Sequence, residues 1–403
     1  MYEEPRRRYL KFIESCLSPE GRAHFTPRSD QCPYAQCFAI FGLNLLGKQD
    51  VLNSRADQWD KALRQSLHRE REERRKHHNL MRDKPWLQLL TFTLSALSIL
   101  GTLDEDPLGD YVRPMIPPDI DEELRSTGVF EGRPRTGNHA MFHGILLIHA
   151  RDYLGMDTSS AISSWVSLHL ENMNRFGFWG KVGSMSHLQF QNGYHQYELL
   201  EYLGIHEAPW EKQADHVAGL ADSEGHFAPW PGGGGCYDYD AVFLLTGSPG
   251  SSKKHQALLK KTRATILAEQ NQDGGFCESL YVRPRSLANV GRSFRHVLKG
   301  RGKARRERLR QSLTLLRSKY DHIETHWGGG FRRGWSESDL WDSWFRMLAI
   351  ARIDVALNPD AIENWGFIDY PGIGYHPLAG RSLSARAADL PARETYTGAE
   401  LPG

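Results

Sequence analysis

The chain is short of cysteine, of long apolar runs and of net charge, and each shortage removes a class of function. Its five cysteines (Cys16, Cys32, Cys37, Cys236 and Cys277) are odd in number and include no Cys-x-x-Cys pair. A disulfide framework is therefore not expected, and the cytoplasm is the expected compartment. Fifty Lys and Arg stand against 49 Asp and Glu, a formal charge of +1. A balance that even does not announce nucleic acid as a partner. No stretch reaches the ~18–20 apolar residues of a membrane span, the best candidate, 87–100, being too short. The start, "MYEEPRRRYLKF", has no apolar run behind its charges, so no signal peptide is expected. Aromatic residues, in contrast, are plentiful (11 Trp, 15 Tyr, 17 Phe), which suits a large core or an aromatic-lined cavity.

What is present is a repeat. Glycine-aromatic turns recur in "PEGRAHF" (ending at Phe25), "NRFGFW" (around Phe178), "DSEGHF" (Phe227), "NQDGGF" (Phe276) and "WGGGF" (Phe331), the later ones spaced 49, 49 and 55 residues apart. A second series marks helix ends: Gly47, Gly101, Gly155, Gly204 and Gly247, each after an apolar run. Glycine in that place is the favoured left-handed stop. The runs before them are apolar nearly all round, as in "LQLLTFTLSALSILG", and alternate with amphipathic stretches such as 254–270. Each unit of about fifty residues thus reads as one buried and one half-exposed helix. Inner helices apolar on every side need cover on every side, which favours a closed ring over an open solenoid. The expected fold is all-α: a single (α/α)6 toroid with a central cavity over 1–355, or seven units if 285–320 contributes one. An irregular Gly- and Pro-rich tail follows over 356–403.

"EQNQDGGF" (269–276) resembles the glutamine–aspartate–glycine–aromatic turn of terpenoid cyclases and protein prenyltransferase β subunits. "GGCYDYDAVFLL" (234–245) and "SDLWDSWFRMLAIARI" (338–353) resemble the inner helices that bear the zinc ligands of those β subunits. The resemblance implies an α/α toroid. It stops short of the metal: Gly234 occupies the zinc aspartate position and Asp342 the histidine position, and Cys236 alone does not make a site needing about three protein ligands. No metal or cofactor is expected. Asp238-Tyr239-Asp240 is similar to the first three positions of the Asp-x-Asp-Asp acid cluster of squalene-cyclase-like enzymes, with Ala241 in the fourth. "NHAMFHGILLIHARDYLG" (138–155) resembles the Asn-His helix of alginate-lyase-like polysaccharide lyases, also α/α toroids. That likeness implies Asn138 and His139 on a uronate carboxylate, with Tyr194, His195 or Tyr197 as the base.

The heads of the inner helices are unusually polar, and in a toroid they converge on one mouth of the cavity. Asp238 and Asp240 are two residues apart, so on a helix they diverge by about 200° and only one points fully inward. One reading has Asp238 capping the helix with Asp240 in its first turn. The other has a desolvated inward carboxyl acting as a general acid beside Tyr237 and Tyr239. His143, Arg332, Trp341 and Asp342 complete the candidate lining. The basic runs 62–84 and 283–310 read as solvated outer helices and loops.

Three functions follow as expectations. The first is a terpenoid-cyclase-like enzyme in which Asp238 or Asp240 protonates an isoprenoid. The second is a polysaccharide lyase or sugar epimerase acting on a uronate through Asn138, His139 and Tyr194 or His195. The third is a non-catalytic, ligand-binding toroid. The expected partner is a small-molecule or oligosaccharide substrate, without nucleic acid or a membrane span; the number of chains is left open.

Overall fold

A computed structural model describes residues 3–180, 186–324 and 331–378. The 327–330 part of the "WGGGF" turn and the tail beyond 378 lie outside them. The first half of the chain contributes α1 (Glu3–Ser15), α2 (Pro33–Leu45), α3 (Gln49–Arg74), α4 (Lys84–Leu100), α5 (Gly109–Val112), α6 (Ile120–Thr127), α7 (Thr136–Leu154) and α8 (Ser159–Glu171). The second half adds α9 (His187–Tyr202), α10 (Trp210–Ala218), α11 (Gly235–Thr246), α12 (Pro249–Lys254) and α13 (Gln256–Ala268). It ends with α14 (Leu287–Lys299), α15 (Gly302–Arg317) and α16 (Leu340–Leu357). The described β-structure is one antiparallel pair, β1 (His322–Glu324) and β2 (Arg332–Gly334), in the register His322 to Gly334. The molecule is all-α.

Six helices, α2, α4, α7, α9, α11 and α16, are buried along most of their length. Their packing runs in a cycle: α2 on α4, α4 on α7, α7 on α9, α9 on α11, α11 on α16, and α16 back on α2. The helices between them bury a single stripe. In α3 that stripe is Leu52, Trp59, Leu63 and Leu67, and the rest of the helix is polar. Each fully buried Leu or Phe contributes roughly 1.5–3 kcal/mol relative to exposure. Such burial holds inner helices that have almost no amphipathic signal of their own.

The repeat seen in the sequence has a physical cause. Ser18, Asn174, Asp222 and Asn271 each donate their backbone N–H to the carbonyl four residues on (2.8, 2.6, 2.8 and 2.9 Å). The fourth residue of each turn is a left-handed glycine, Gly21, Gly177, Gly225 or Gly274. A side chain there would be strained, so glycine recurs at that step. Gly47, Gly101, Gly155 and Gly204 end their helices in the same left-handed conformation. Gly247 does not: its φ is −66°, and α11 passes into the next turn right-handed. "DIDEE" starts α6 as its composition suggests, Asp119 accepting from the N–H groups of Asp121 and Glu122.

Residues 285–320 form the hairpin α14–α15, inserted between the last outer helix, α13, and the last inner one, α16. After α16 the chain makes a short 3-10 turn (Pro359–Asn364) and then runs irregularly against the inner helices. There Asn44 donates to the Gly366 carbonyl at 2.8 Å, and the Tyr370 hydroxyl meets His149 Nδ1 at 3.0 Å.

The middle of the six helices is filled with rings. Phe38 lies 5.0 Å from Trp341, 5.4 Å from Trp344 and 5.5 Å from Phe92, and Tyr239 lies 5.5 Å from Phe345. One hollow in the described structure lies between α14 and α15, and another between α7, α8 and α9. Neither is at the centre.

Candidate functional site

Four inner helices bring polar side chains to one place. Lys84 opens α4 behind Asp83, whose carboxylate accepts from the Trp86 N–H. α7 and α9 approach so closely at their heads that a Cβ on Gly137 would stand 1.7 Å from the Asn192 carbonyl oxygen. Gly137 instead donates its N–H to Asn192 Oδ1 at 3.0 Å. This contact carries Asn138 to His195, where Nδ2 donates to Nε2 at 2.7 Å. Through the glycine run ahead of α11, Gly232 and Gly233 take left-handed conformations, and Gly234 then caps the helix in an extended one. Lys84 and His139 lie half-buried beside it, as do Cys236 and Tyr237.

These groups share a field. Burial and then the nearby Arg135 charge lower the Lys84 ammonium to about 8. Burial and then Lys84 lower His139, and the same two causes take His195 well below the ordinary imidazole value. Both histidines are therefore neutral at pH 7. Burial, reinforced by Asp240, Glu278 and Asp342, pushes the Cys236 thiol far up, so it is protonated and a poor nucleophile.

Deeper in lies Asp240. It is fully buried, and neither carboxyl oxygen makes a well-aligned hydrogen bond, the Tyr194 hydroxyl being a neighbour. Burial and then the Glu198 charge raise its pKa well above the carboxylate range, with the Tyr194 hydroxyl opposing them. Burial thus biases Asp240 toward its neutral, proton-bearing form. Tyr194, Tyr239 and Phe243 surround this region with rings about 6 Å apart, and the Tyr239 hydroxyl donates to Glu198 Oε1 at 3.3 Å. Glu198 is itself raised by burial, against Arg352.

Asp238 faces another environment, as its offset along the helix requires. It does not cap α11. Its Oδ1 accepts from the Phe227 N–H at 2.9 Å, and its Oδ2 meets His226 Nδ1 at 2.8 Å. His226 Nε2 reaches Glu269 at 3.0 Å, and Arg346 reaches Glu269 at 3.1 Å and Asp238 at 3.5 Å. This buried network ties α11 and the turn before it to the end of α13 and to α16.

Several other expected site residues have structural partners. Asp342 pairs with Arg333 and accepts from the Gly235 N–H at 3.2 Å, pinning the head of α11 to that of α16. Arg333 also pairs with Asp339 and, at 2.9 Å, with Glu278, whereas Arg332 is exposed on β2. The Tyr197 hydroxyl donates to the Gly177 carbonyl at 2.6 Å and so anchors a repeat turn. His143 is fully buried within α7, lowered to about 4 by burial, with Glu123 at 3.9 Å. Trp341 packs on Phe38 and, at 4.7 Å, on Phe345. Among the described residues no group of three or more His, Cys, Asp or Glu side chains is placed to hold a metal ion.

Sequence reasoning missed Lys84, which it assigned to a solvated run although Pro85 and an apolar helix follow directly. It also missed Glu198, Glu278, Arg346 and Arg352. For Glu198, Arg346 and Arg352 the signal was present, since a charge inside a buried helix needs a buried partner; Glu278, in the irregular segment after α13, carried none. The chain matches no family model and no curated protein.

Proposed function

We propose that the six buried helices form an (α/α)6 toroid and that the chain is a terpenoid-cyclase-like enzyme with Asp240 as its general acid. The cyclic packing order supports the fold. The observation that carries the function is Asp240, a fully buried carboxyl without a well-formed hydrogen bond, biased by that burial toward its neutral form among aromatic rings. In this reading the Asp240 proton adds to one carbon of an alkene, and the cation left on the other carbon is stabilised by neighbouring π faces. A second double bond of the substrate attacks that cation and forms a carbon–carbon bond. Loss of a proton to a neighbouring base, with return of a proton to Asp240, completes a net isomerisation. The polar end of the substrate rests by Lys84, Arg135 and His139. With the centre filled by rings, the substrate reaches Asp240 only as some of them swing aside.

A second reading rests on the Asn138–His195 contact facing Lys84, an arrangement suited to holding a sugar-acid carboxylate next to Tyr194. Mass spectrometry of purified protein with polyprenyl compounds and prenyl diphosphates on one side, and uronate oligosaccharides on the other, separates the two. A rearranged isoprenoid that disappears in Asp240→Asn is the expected outcome. An unsaturated sugar lost in His139→Ala and His195→Ala would instead establish the second reading. Asp240→Asn keeps the shape of the side chain, and its unfolding curve separates a loss of chemistry from a loss of fold; turnover unchanged in a folded variant would remove Asp240 from the chemistry.

A further inference from the structure

Among the described residues, the large apolar side chains that stand clearly exposed all fall between 287 and 320. On α14 they are Leu287, Val290, Phe294 and Leu298, and on α15 and its end Leu309, Leu313, Leu316 and Tyr320. The spacing of three and four residues makes each set one stripe along its helix. Leu287 is 94 % exposed and Phe294 63 %. Val290 and Leu316 line the same shallow, open recess between the two helices, so the stripes border one surface. A row of exposed cations follows each stripe: Arg295 and Lys299 on α14, Arg306, Arg310 and Arg317 on α15. Residues 283–319 hold thirteen Lys and Arg against a single Glu, in a chain whose total is only +1. The balanced composition therefore hides a strongly basic hairpin on an otherwise acidic molecule.

We propose that α14–α15 docks on an anionic lipid bilayer, lying in the headgroup plane with its leucines and Phe294 in the acyl boundary. An amphipathic helix with an apolar stripe bordered by Lys and Arg has the chemistry of an interfacial anchor. A second copy of the chain would bring two such basic surfaces together and is disfavoured by like charge. Residues 379–403 carry three basic and three acidic side chains and offer the hairpin no complementary charge. A nucleic-acid surface would match the arginines but leave Leu287 and Phe294 in water. The hairpin is docked at the head end of the inner helices: Glu307 accepts from the His187 N–H at 2.7 Å, and Arg308 donates to His187 Nε2 at 3.2 Å. The inference holds independently of the chemistry proposed for Asp240.

Co-sedimentation of the full chain with vesicles of phosphatidylcholine alone, and of equimolar phosphatidylcholine and phosphatidylglycerol, tests it. Binding to the anionic vesicles, weak binding to the neutral ones and loss with added salt are expected. Arg306→Gln/Arg310→Gln/Arg317→Gln should lower vesicle affinity on the order of 100-fold. Leu287→Gln/Phe294→Gln/Leu298→Gln should abolish binding, and both triple variants, changed only at exposed positions, should unfold at the wild-type temperature. Three results would overturn the proposal: no anionic-vesicle binding, vesicle binding that survives the apolar triple variant, or a dimer that the same variant dissociates. A duplex oligonucleotide bound equally by wild type and apolar variant, with vesicles left unbound, would reassign the surface to nucleic acid.

Discussion

The His226 network makes a quantitative demand on stability. Burial alone would lower this imidazole, but the Asp238 charge and the hydrogen bonds to Asp238 and Glu269 outweigh it and lift the pKa to about 10. In the unfolded chain the value returns to about 6.5. The folded state therefore binds the proton more tightly, so the associated stability is complete below about pH 6.5 and is lost as pH rises through about 10. A shift of ~3.5 units at ~1.36 kcal/mol each is worth on the order of 5 kcal/mol. Other groups titrate in the same window, Lys84 among them with the opposite sign. The difference between wild type and His226→Gln cancels them. Urea unfolding of both proteins at a series of pH values should show wild type more stable by about 3–5 kcal/mol near pH 6, because the variant leaves buried charges under-compensated. That advantage should shrink by roughly 1.4 kcal/mol per pH unit between pH 7 and 10. Parallel pH profiles would mean that His226 is not held as a cation and would refute the network described above.

Two further outcomes bear on the site itself. Gly137→Ala sets a Cβ against the Asn192 backbone and must push α7 from α9; a loss of about 1–3 kcal/mol in unfolding free energy is expected, with weaker turnover as Asn138 leaves His195. An unchanged unfolding curve would show that the two helices do not approach as described. Lys84, lowered to about 8, should place an alkaline limb in the pH–rate profile, activity falling as the ammonium is lost. In Lys84→Met that limb should vanish along with most affinity for the polar end of the substrate; a limb that persists in the variant belongs to another group.

Part of this was legible in the residues alone. The alternation of all-round apolar helices with one-sided ones, and the turn glycines near every fiftieth residue, announced paired helices because backbone geometry and burial act locally. The separation of Asp238 from Asp240 followed from helical periodicity, and the structure sends them to different surroundings. Which aspartate stays unpaired was not legible. It depends on His226, in the turn that leads into α11, and on Glu269 and Arg346, which come from other helices and meet Asp238 only after the chain has folded back on itself. The same holds for Tyr197 and Asp342, whose polarity suggested a substrate and whose partners proved to be Gly177 and Arg333. Lys84 looked like the end of a solvated basic run because charge patterning reads neighbours in sequence, whereas its environment is set by α7 and α11. The exposed stripe of α14 and α15 was hidden in turn, since an amphipathic pattern shows that a helix has an apolar face but not whether the protein covers it. Local periodicity thus determined the elements and their order; contacts between distant units decided which polar groups are satisfied, which are not, and which apolar face is left exposed.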